Sequence, residues 1–240
     1  MRKHLLTTAA VAAAIAVAIC LAGCSKKLPQ EPVSITYDTL TDERDGQTYR
    51  TVKIGEQTWI AQNLNYKTDS SWCYYNDTSS CNEYGRLYNW KAAINACPKG
   101  WRLSIGTDWA KLIFIASRGR EYEDYRGSME DKKNKRNEVV SKKLKSKKGW
   151  FDDDNGTDDF GFSALPGGKR SIDGEFVHCG YWLNGHMAGY WWSITESRTG
   201  FAHCWIINST YKESPYIESM SMSNYDTRVG LSVRCVADRP

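Results

Sequence analysis

Polar and apolar residues alternate along "TYRTVKIGEQTWIAQNL" (48–64) on either side of Gly55-Glu56. That period of two predicts a β-hairpin with one buried face. The period then changes. Leu87, Trp90, Ala93, Ile94 and Cys97 recur at helical spacing, and Pro98 and Gly100 follow as a stop. A second helix is predicted from an N-cap at Thr107 through Trp109, Leu112, Ile113 and Ala116. Val140 and Leu144 stand one turn apart in a lysine-rich stretch, which predicts a short third helix with one buried edge. From residue 160 the runs are short and β-like: "FGFSAL", "EFVHC", "GYWWSIT", "AHCWIIN", "YIESMSM" and "VGLSVRCV". Gly, Asn, Ser and Pro separate them, as in a twisted antiparallel sheet. Helices first and strands later make an α+β domain, with two or three helices beside the sheet.

The amino end follows another pattern. Arg2, Lys3 and His4 precede an apolar run from Leu5 to Ala22, and Leu21-Ala22-Gly23-Cys24 closes it. Basic, apolar and small residues in that order lay out a secretory signal over residues 1–23. The run is about as long as a short membrane span. Leu-Ala-Gly-Cys resembles the bacterial lipobox instead, which implies cleavage before Cys24, diacylglycerol on its sulfur and a further palmitate-type acyl chain. Two or three chains, at roughly 0.8 kcal/mol per buried methylene, give a stable anchor in the lipid bilayer. Ser25 in the next position implies the outer membrane. Residues 24–45 are polar with two prolines and read as a lipidated tether. Residues 46–238 remain for one substantial core.

Charge narrows the partners. Without Arg2 and Lys3, 30 lysines and arginines face 28 acids, a net charge of +2. Such a balance gives no footprint for nucleic acid. Nine basic residues cluster between 130 and 148. They read as a solvated helix neutralised by the acids that follow it, with a basic patch for an anionic polymer or lipid head groups as the alternative.

Six cysteines follow the signal: Cys73, Cys81, Cys97, Cys179, Cys204 and Cys235. An even count beyond the inner membrane reads as a disulfide framework, whose connectivity sequence alone does not choose. Cys73 and Cys81 flank the turn-rich "CYYNDTSSC" and are placed to pair locally. Pairing Cys97 with Cys235 would tie the start of the domain to its end, for about 4–5 kcal/mol in the chain-entropy model. Cys179 and Cys204 are then left for each other.

Blocks along the chain carry a resemblance. "DERDGQTYRTVKIGEQTWIAQNLNY", "YGRLYNWKAA", "CPKGWRL", "GTDDFGFSALPGG", "YWWSITE" and "LSVRCV", in this order, resemble the Fibrobacter succinogenes major paralogous domain over roughly residues 42–238. That family contains secreted and lipid-anchored bacterial proteins and has no settled activity. "CPKGWRL", a Trp-bearing helix and a closing "VRCV" are similar to the C-type-lectin-like and formylglycine-generating-enzyme fold. The resemblance implies two helices beside a twisted sheet, with the ends of the domain close together.

A formylglycine-generating oxidase needs a reactive cysteine pair, and none is placed here without breaking the disulfides. Zinc at His178-Cys179 and His203-Cys204 is disfavoured, because strand neighbours point to opposite faces. The acids at 152–159 are contiguous, whereas glycoside hydrolysis needs two across a cleft. A calcium loop using Asp152, Asp154 and Asp158 is the metal candidate, although the EF-hand pattern fails at Phe151. Ten tryptophans and fourteen tyrosines make aromatic contacts to a ligand a further candidate. Tyr74, Tyr75, Tyr181 and Trp182 lie in loop-like contexts, and Trp191-Trp192 must face opposite ways on a strand, which puts one of them outside. "NGTDDFGFSALPGG" (155–168) reads as architecture. Phe160, Phe162 and Ala164 form one inner face, Pro166-Gly167-Gly168 turns the chain, and Asp158 and Asp159 bond the loop backbone. The expected function is non-catalytic binding or adhesion, to polysaccharide or an envelope protein. An oxidase and a purely structural envelope component are the alternatives.

Overall fold

The computed structural model describes residues 33–117, 134–151, 154–177, 187–209 and 220–238. The signal segment, Cys24 and the start of the tether lie outside them. The expected hairpin is present. β2 (Thr48–Ile54) and β3 (Gln57–Ile60) pair antiparallel around Gly55, whose φ of 60° suits the tight reversal. The tether reading is corrected at its end. Ile35–Thr41 form β1, which pairs along its whole length with β2. Its Thr, Ile and Tyr residues are strand formers, and it lies at a sheet edge with mostly exposed side chains.

β6 (Trp101–Leu103) and β12 (Cys235–Ala237) complete a five-stranded antiparallel sheet in the order β1-β2-β3-β12-β6. The end of the chain thus inserts between its earlier strands. A second sheet has the order β11-β10-β9, from β9 (Ala188–Arg198), β10 (Phe201–Asn208) and β11 (Met220–Asp226). Two short ladders join β4 (Ser71–Trp72) to β5 (Leu87–Tyr88) and β7 (Lys169–Arg170) to β8 (Phe176–Val177).

Four α-helices are described: α1 (Thr78–Tyr84), α2 (Trp90–Ile94), α3 (Gly106–Ala116) and α4 (Asn134–Leu144). The 87–97 period produces only a short helix. Leu87 and Tyr88 are drawn into β5, and Asn89 caps α2 by accepting from Ala92 N at 2.8 Å. Thr107 is not the cap of α3. Asp108 reaches back to accept from Ile105 N at 2.9 Å, and it also holds Arg102 at 2.6 Å. Gln57 Nε2 donates to the same carboxylate at 3.1 Å.

Two large cores lie on opposite faces of the strands, and a small third cluster gathers Tyr74, Leu87 and Phe176. Val52, Ile54, Trp59, Trp109, Leu112, Trp191, Trp205 and Val236 belong to the first. Tyr49, Ile60, Tyr88, Leu103, Trp192, Ala202, Cys204 and Cys235 belong to the second. Consecutive strand residues therefore alternate between two buried faces. Trp109 is the hub of the first core, stacked on Trp205 at 5.7 Å and edge-on to Trp59 at 5.3 Å. The "FGFSAL" segment is not a strand. Asp158, Gly161 and Ser163 have φ of 47°, 67° and 52°, which breaks extended geometry. Phe162 and Ala164 are fully buried all the same, and Phe160 nearly so. Among the described residues no helix is long and apolar enough to cross a membrane.

Candidate functional site

Among the described residues two disulfides are formed, Cys73–Cys81 and Cys97–Cys235. The pairing of Cys204 with Cys179 is corrected: Cys204 is a free, fully buried thiol, and Cys179 lies outside the described residues. Alternation along β10 turns its side chain into the second core, opposite Trp192 of β9 and Ser223 of β11. Burial pushes this thiol far above its ordinary range, and the nearby Lys169 only partly offsets that. Lys169 is itself lowered by burial; its ammonium donates to Tyr225 Oη at 3.2 Å.

The aromatic candidates are also corrected where they are described. Trp191 and Trp192 do face opposite ways, yet both are fully buried, because each face of β9 meets a core. Trp191 Nε1 donates to Asn63 Oδ1 at 2.8 Å and Trp192 Nε1 to Tyr88 O at 2.7 Å. Tyr181 and Trp182 lie outside the described residues. Of the calcium candidates, Asp152 also lies outside. Asp154 accepts from the buried Lys145 ammonium at 2.7 Å, and Asp158 accepts from Ser163 N at 2.7 Å. Both carboxylates are thus taken up by protein donors. Among the described residues no group of three His, Cys, Asp or Glu could hold a metal ion.

A polar cleft of about 460 Å³ opens among the described residues. One wall is the start of β2, with Gln47, Tyr49 and Arg50; the next is the segment after β3, with Gln62, Asn63 and Asn65. The third is the end of α1, with Asn82, Glu83 and Gly85, and Lys148, Gly149 and Leu165 close the rim. Gly85 is required for this junction. Its φ is 73°, and a Cβ there would stand 2.7 Å from Asn63 Cβ.

Below the cleft a polar network ties the walls together. Asn63 Oδ1 accepts from Arg234 Nε at 2.9 Å as well as from Trp191, and Asn63 Nδ2 donates to Tyr84 O at 2.8 Å. Arg234 is fully buried. It donates to Phe162 O at 2.6 Å and Ser163 O at 2.8 Å, and its guanidinium lies over the Phe162 ring at 4.6 Å. Burial lowers its proton affinity to about 9, so it is charged at neutral pH. The stretch 155–168 is therefore the carbonyl cradle of a buried cation, which its sequence did not announce.

The rim carries unused hydrogen-bonding groups. Gln62 Oε1 accepts from Arg50 N at 2.7 Å, leaving its amide NH₂ without a partner among the described residues. The side-chain amides of Asn65 and Asn82, the Arg50 guanidinium, the Glu83 carboxylate and the Lys148 ammonium likewise have no hydrogen-bond or ion-pair partner there. Tyr49 Oη accepts from Asn65 N at 3.1 Å, and burial raises its pKa to about 12, so it remains a neutral phenol. Carboxamides both donate and accept, which matches ligand hydroxyls. The lining holds one carboxylate, no histidine, and one cysteine that is already oxidised. Sequence reading missed these amides. "QNLNY" offered the signal, three carboxamides in four residues directly after a strand. A second groove of about 600 Å³, between Gly55 and the outer face of α3 at Ala110, Phe114 and Ile115, is mainly apolar.

The profile of the Fibrobacter succinogenes major domain matches residues 52–237. Neither a curated protein nor a solved structure matches the chain.

Proposed function

The chain belongs to the Fibrobacter succinogenes major domain family, and from that premise we propose that it is a non-catalytic binding module for a neutral polysaccharide. It is held at the bacterial outer membrane by acyl chains on Cys24. Its fold is read as C-type-lectin-like, a reading supported by the insertion of β12 between β3 and β6 and by the Cys97–Cys235 bridge beside it. The observation that carries the function is the rim made by the Gln62 amide NH₂ and the carboxamides of Asn65 and Asn82, all without partners among the described residues, around a preformed cleft. Sugar hydroxyls are donors and acceptors at once, and amides satisfy both roles without the desolvation cost of a charge. Catalysis is not part of the reading. Glycoside cleavage by the usual route takes two carboxyl groups across the bond, and Glu83 is the one carboxylate in the lining.

Depletion of the purified domain from solution by insoluble β-glucan, β-mannan and β-xylan tests this. Wild type should be removed by at least one, and the triple variant Gln62→Ala, Asn65→Ala, Asn82→Ala should bind at least about tenfold more weakly, equivalent to about 1.4 kcal/mol. A neutral ligand makes the binding nearly independent of salt. No depletion by any of the three, or equal depletion of the variant, overturns the proposal.

A further inference from the structure

One exposed aromatic residue is held in an unusual way. Tyr75 is 63% exposed, and both it and Asn76 have left-handed backbones, with φ of 53° and 58°. Such conformations cost non-glycine residues of order 1–3 kcal/mol and persist only where the surroundings fix them. Here the surroundings do so. The Cys73–Cys81 disulfide closes the loop, and Tyr75 packs edge-on to Tyr74 at 4.6 Å and to Phe176 at 5.8 Å. Arg170 lies over the neighbouring Trp72 ring at 4.4 Å and braces the same cluster. The result is a ring fixed in water, with no apolar partner on its outer side among the described residues.

Its place along the chain matters. Tyr75 precedes α1, and Asn82 and Glu83 at the far end of α1 line the cleft. Between them Asn76, Asp77, Thr78 and Ser79 are exposed and polar. At 1.5 Å per residue the seven residues of α1 span about 10 Å, the length of about two pyranose rings joined end to end. We propose that Tyr75 stacks on a second, distant ring of the same glycan, so that the domain takes an extended internal segment of a chain rather than a mono- or disaccharide. Pyranoses with equatorial hydroxyls, as in β-1,4-glucan, present the C–H face that such stacking needs. This inference rests on the cleft being a polysaccharide site.

Calorimetry with β-1,4-glucan oligosaccharides from disaccharide to hexasaccharide tests it. Wild type should gain about tenfold in affinity with length, which is about 1.4 kcal/mol. Tyr75→Asn keeps a residue that tolerates the left-handed backbone and removes the ring, so it should bind the disaccharide normally and lose the gain. Tyr75→Phe should restore it. Nitration of Tyr75 in the wild-type protein, read by mass spectrometry, needs no variant to fold: the hexasaccharide should protect the ring and the disaccharide should not. Equal affinity for short and long chains, or a length gain that survives Tyr75→Asn, or nitration unaffected by the hexasaccharide, overturns the inference and leaves the cleft reading in place. No binding by wild type at any length, together with no depletion by insoluble polysaccharide, overturns both.

Discussion

Replacing Asn63 with Ala removes one side chain and leaves two buried donors, Trp191 Nε1 and Arg234 Nε, without their acceptor. Trp191 Nε1, Arg234 Nε and Tyr84 O lose bonds of 2.8, 2.9 and 2.8 Å, all of them to a residue that is 4% exposed. Each buried group left without a partner costs about 1–3 kcal/mol, with charged donors at the upper end. A water entering the vacated space recovers part of that, so the expected loss is about 3–5 kcal/mol. For a domain of roughly 200 residues this lowers Tm by about 8–15 °C. The assay is urea unfolding under oxidising conditions, followed by tryptophan fluorescence, since Trp191 lies beside Trp109 at 5.9 Å. Asn63→Asp is the informative partner. It keeps both accepting bonds and sets a carboxylate against Arg234, whose direct acceptors are otherwise neutral oxygens. It should therefore cost clearly less than Ala. A loss below about 1 kcal/mol for Asn63→Ala, or an equal loss for Asp, would refute the argument that this amide is the joint of a buried network.

Removing Cys97–Cys235, which spans 138 residues, should cost about 5 kcal/mol and removing Cys73–Cys81, which spans 8, about 2.5 kcal/mol, both by chain entropy; denaturant midpoints of the two double-serine variants rank them, and a reversed order contradicts the assignment. Hydrogen bonds from Arg44 hold the Asp42 carboxyl below its ordinary 3.8. Folding therefore favours the carboxylate, a contribution complete above 3.8 and lost as pH falls through the lowered folded value. Asp42→Asn should accordingly flatten the acid loss of stability in a pH series of urea midpoints, and an unchanged acid limb would count against it. Cys204 should resist alkylation in the native protein and react only after denaturation, read on its own peptide by mass spectrometry. Finding that peptide disulfide-linked would show the thiol assignment to be wrong.

Much of the architecture could be read from periodicity, because a period of two or of 3.6 reports directly on which side chains share a face. The β2–β3 hairpin, α3 and the strands β9 to β12 follow from it, as do the buried positions Trp109, Leu112 and Val140. What periodicity could not give is how many faces of a strand are covered. Trp191 and Trp192 alternate as a half-exposed strand would, and only the second core, brought by Tyr88, Leu231 and Val233 from distant segments, buries the outer one. The same limit explains Cys204: an even cysteine count suggests full pairing, but pairing depends on which face of β10 the sulfur occupies. Strand β1 was missed because its apolar residues are few and it is stabilised by backbone pairing at an edge. The cleft amides were hidden for a related reason, since asparagine and glutamine read as loop or surface residues until several converge. Arg234 was read as part of a closing strand, because nothing local reveals the carbonyls of residues 162 and 163 that surround it.

The buried network also bears on how well the cleft could bind. Its walls are fixed from behind: Leu64 N donates to Val233 O at 3.0 Å, Arg86 N to Leu64 O at 2.9 Å and Trp150 Nε1 to Ala164 O at 3.0 Å. Cys81 ties α1 back to Cys73 on the same side. A ligand entering the cleft would thus order only the exposed side chains, at about 0.5–1.5 kcal/mol each, and no backbone. Stability and binding should consequently separate by residue. Asn65 and Asn82 have side-chain amides with nothing to hold in the free protein, and Gln62 holds only the exposed Arg50 N, so truncating them should alter binding and leave each unfolding midpoint within about 1 kcal/mol. Asn63 lies at the base of the same cleft with all its bonding committed inward, so its truncation should alter the midpoint first. If the three rim variants proved as destabilising as Asn63→Ala, their amides would be structural, and the cleft would lose the feature that makes it a binding site.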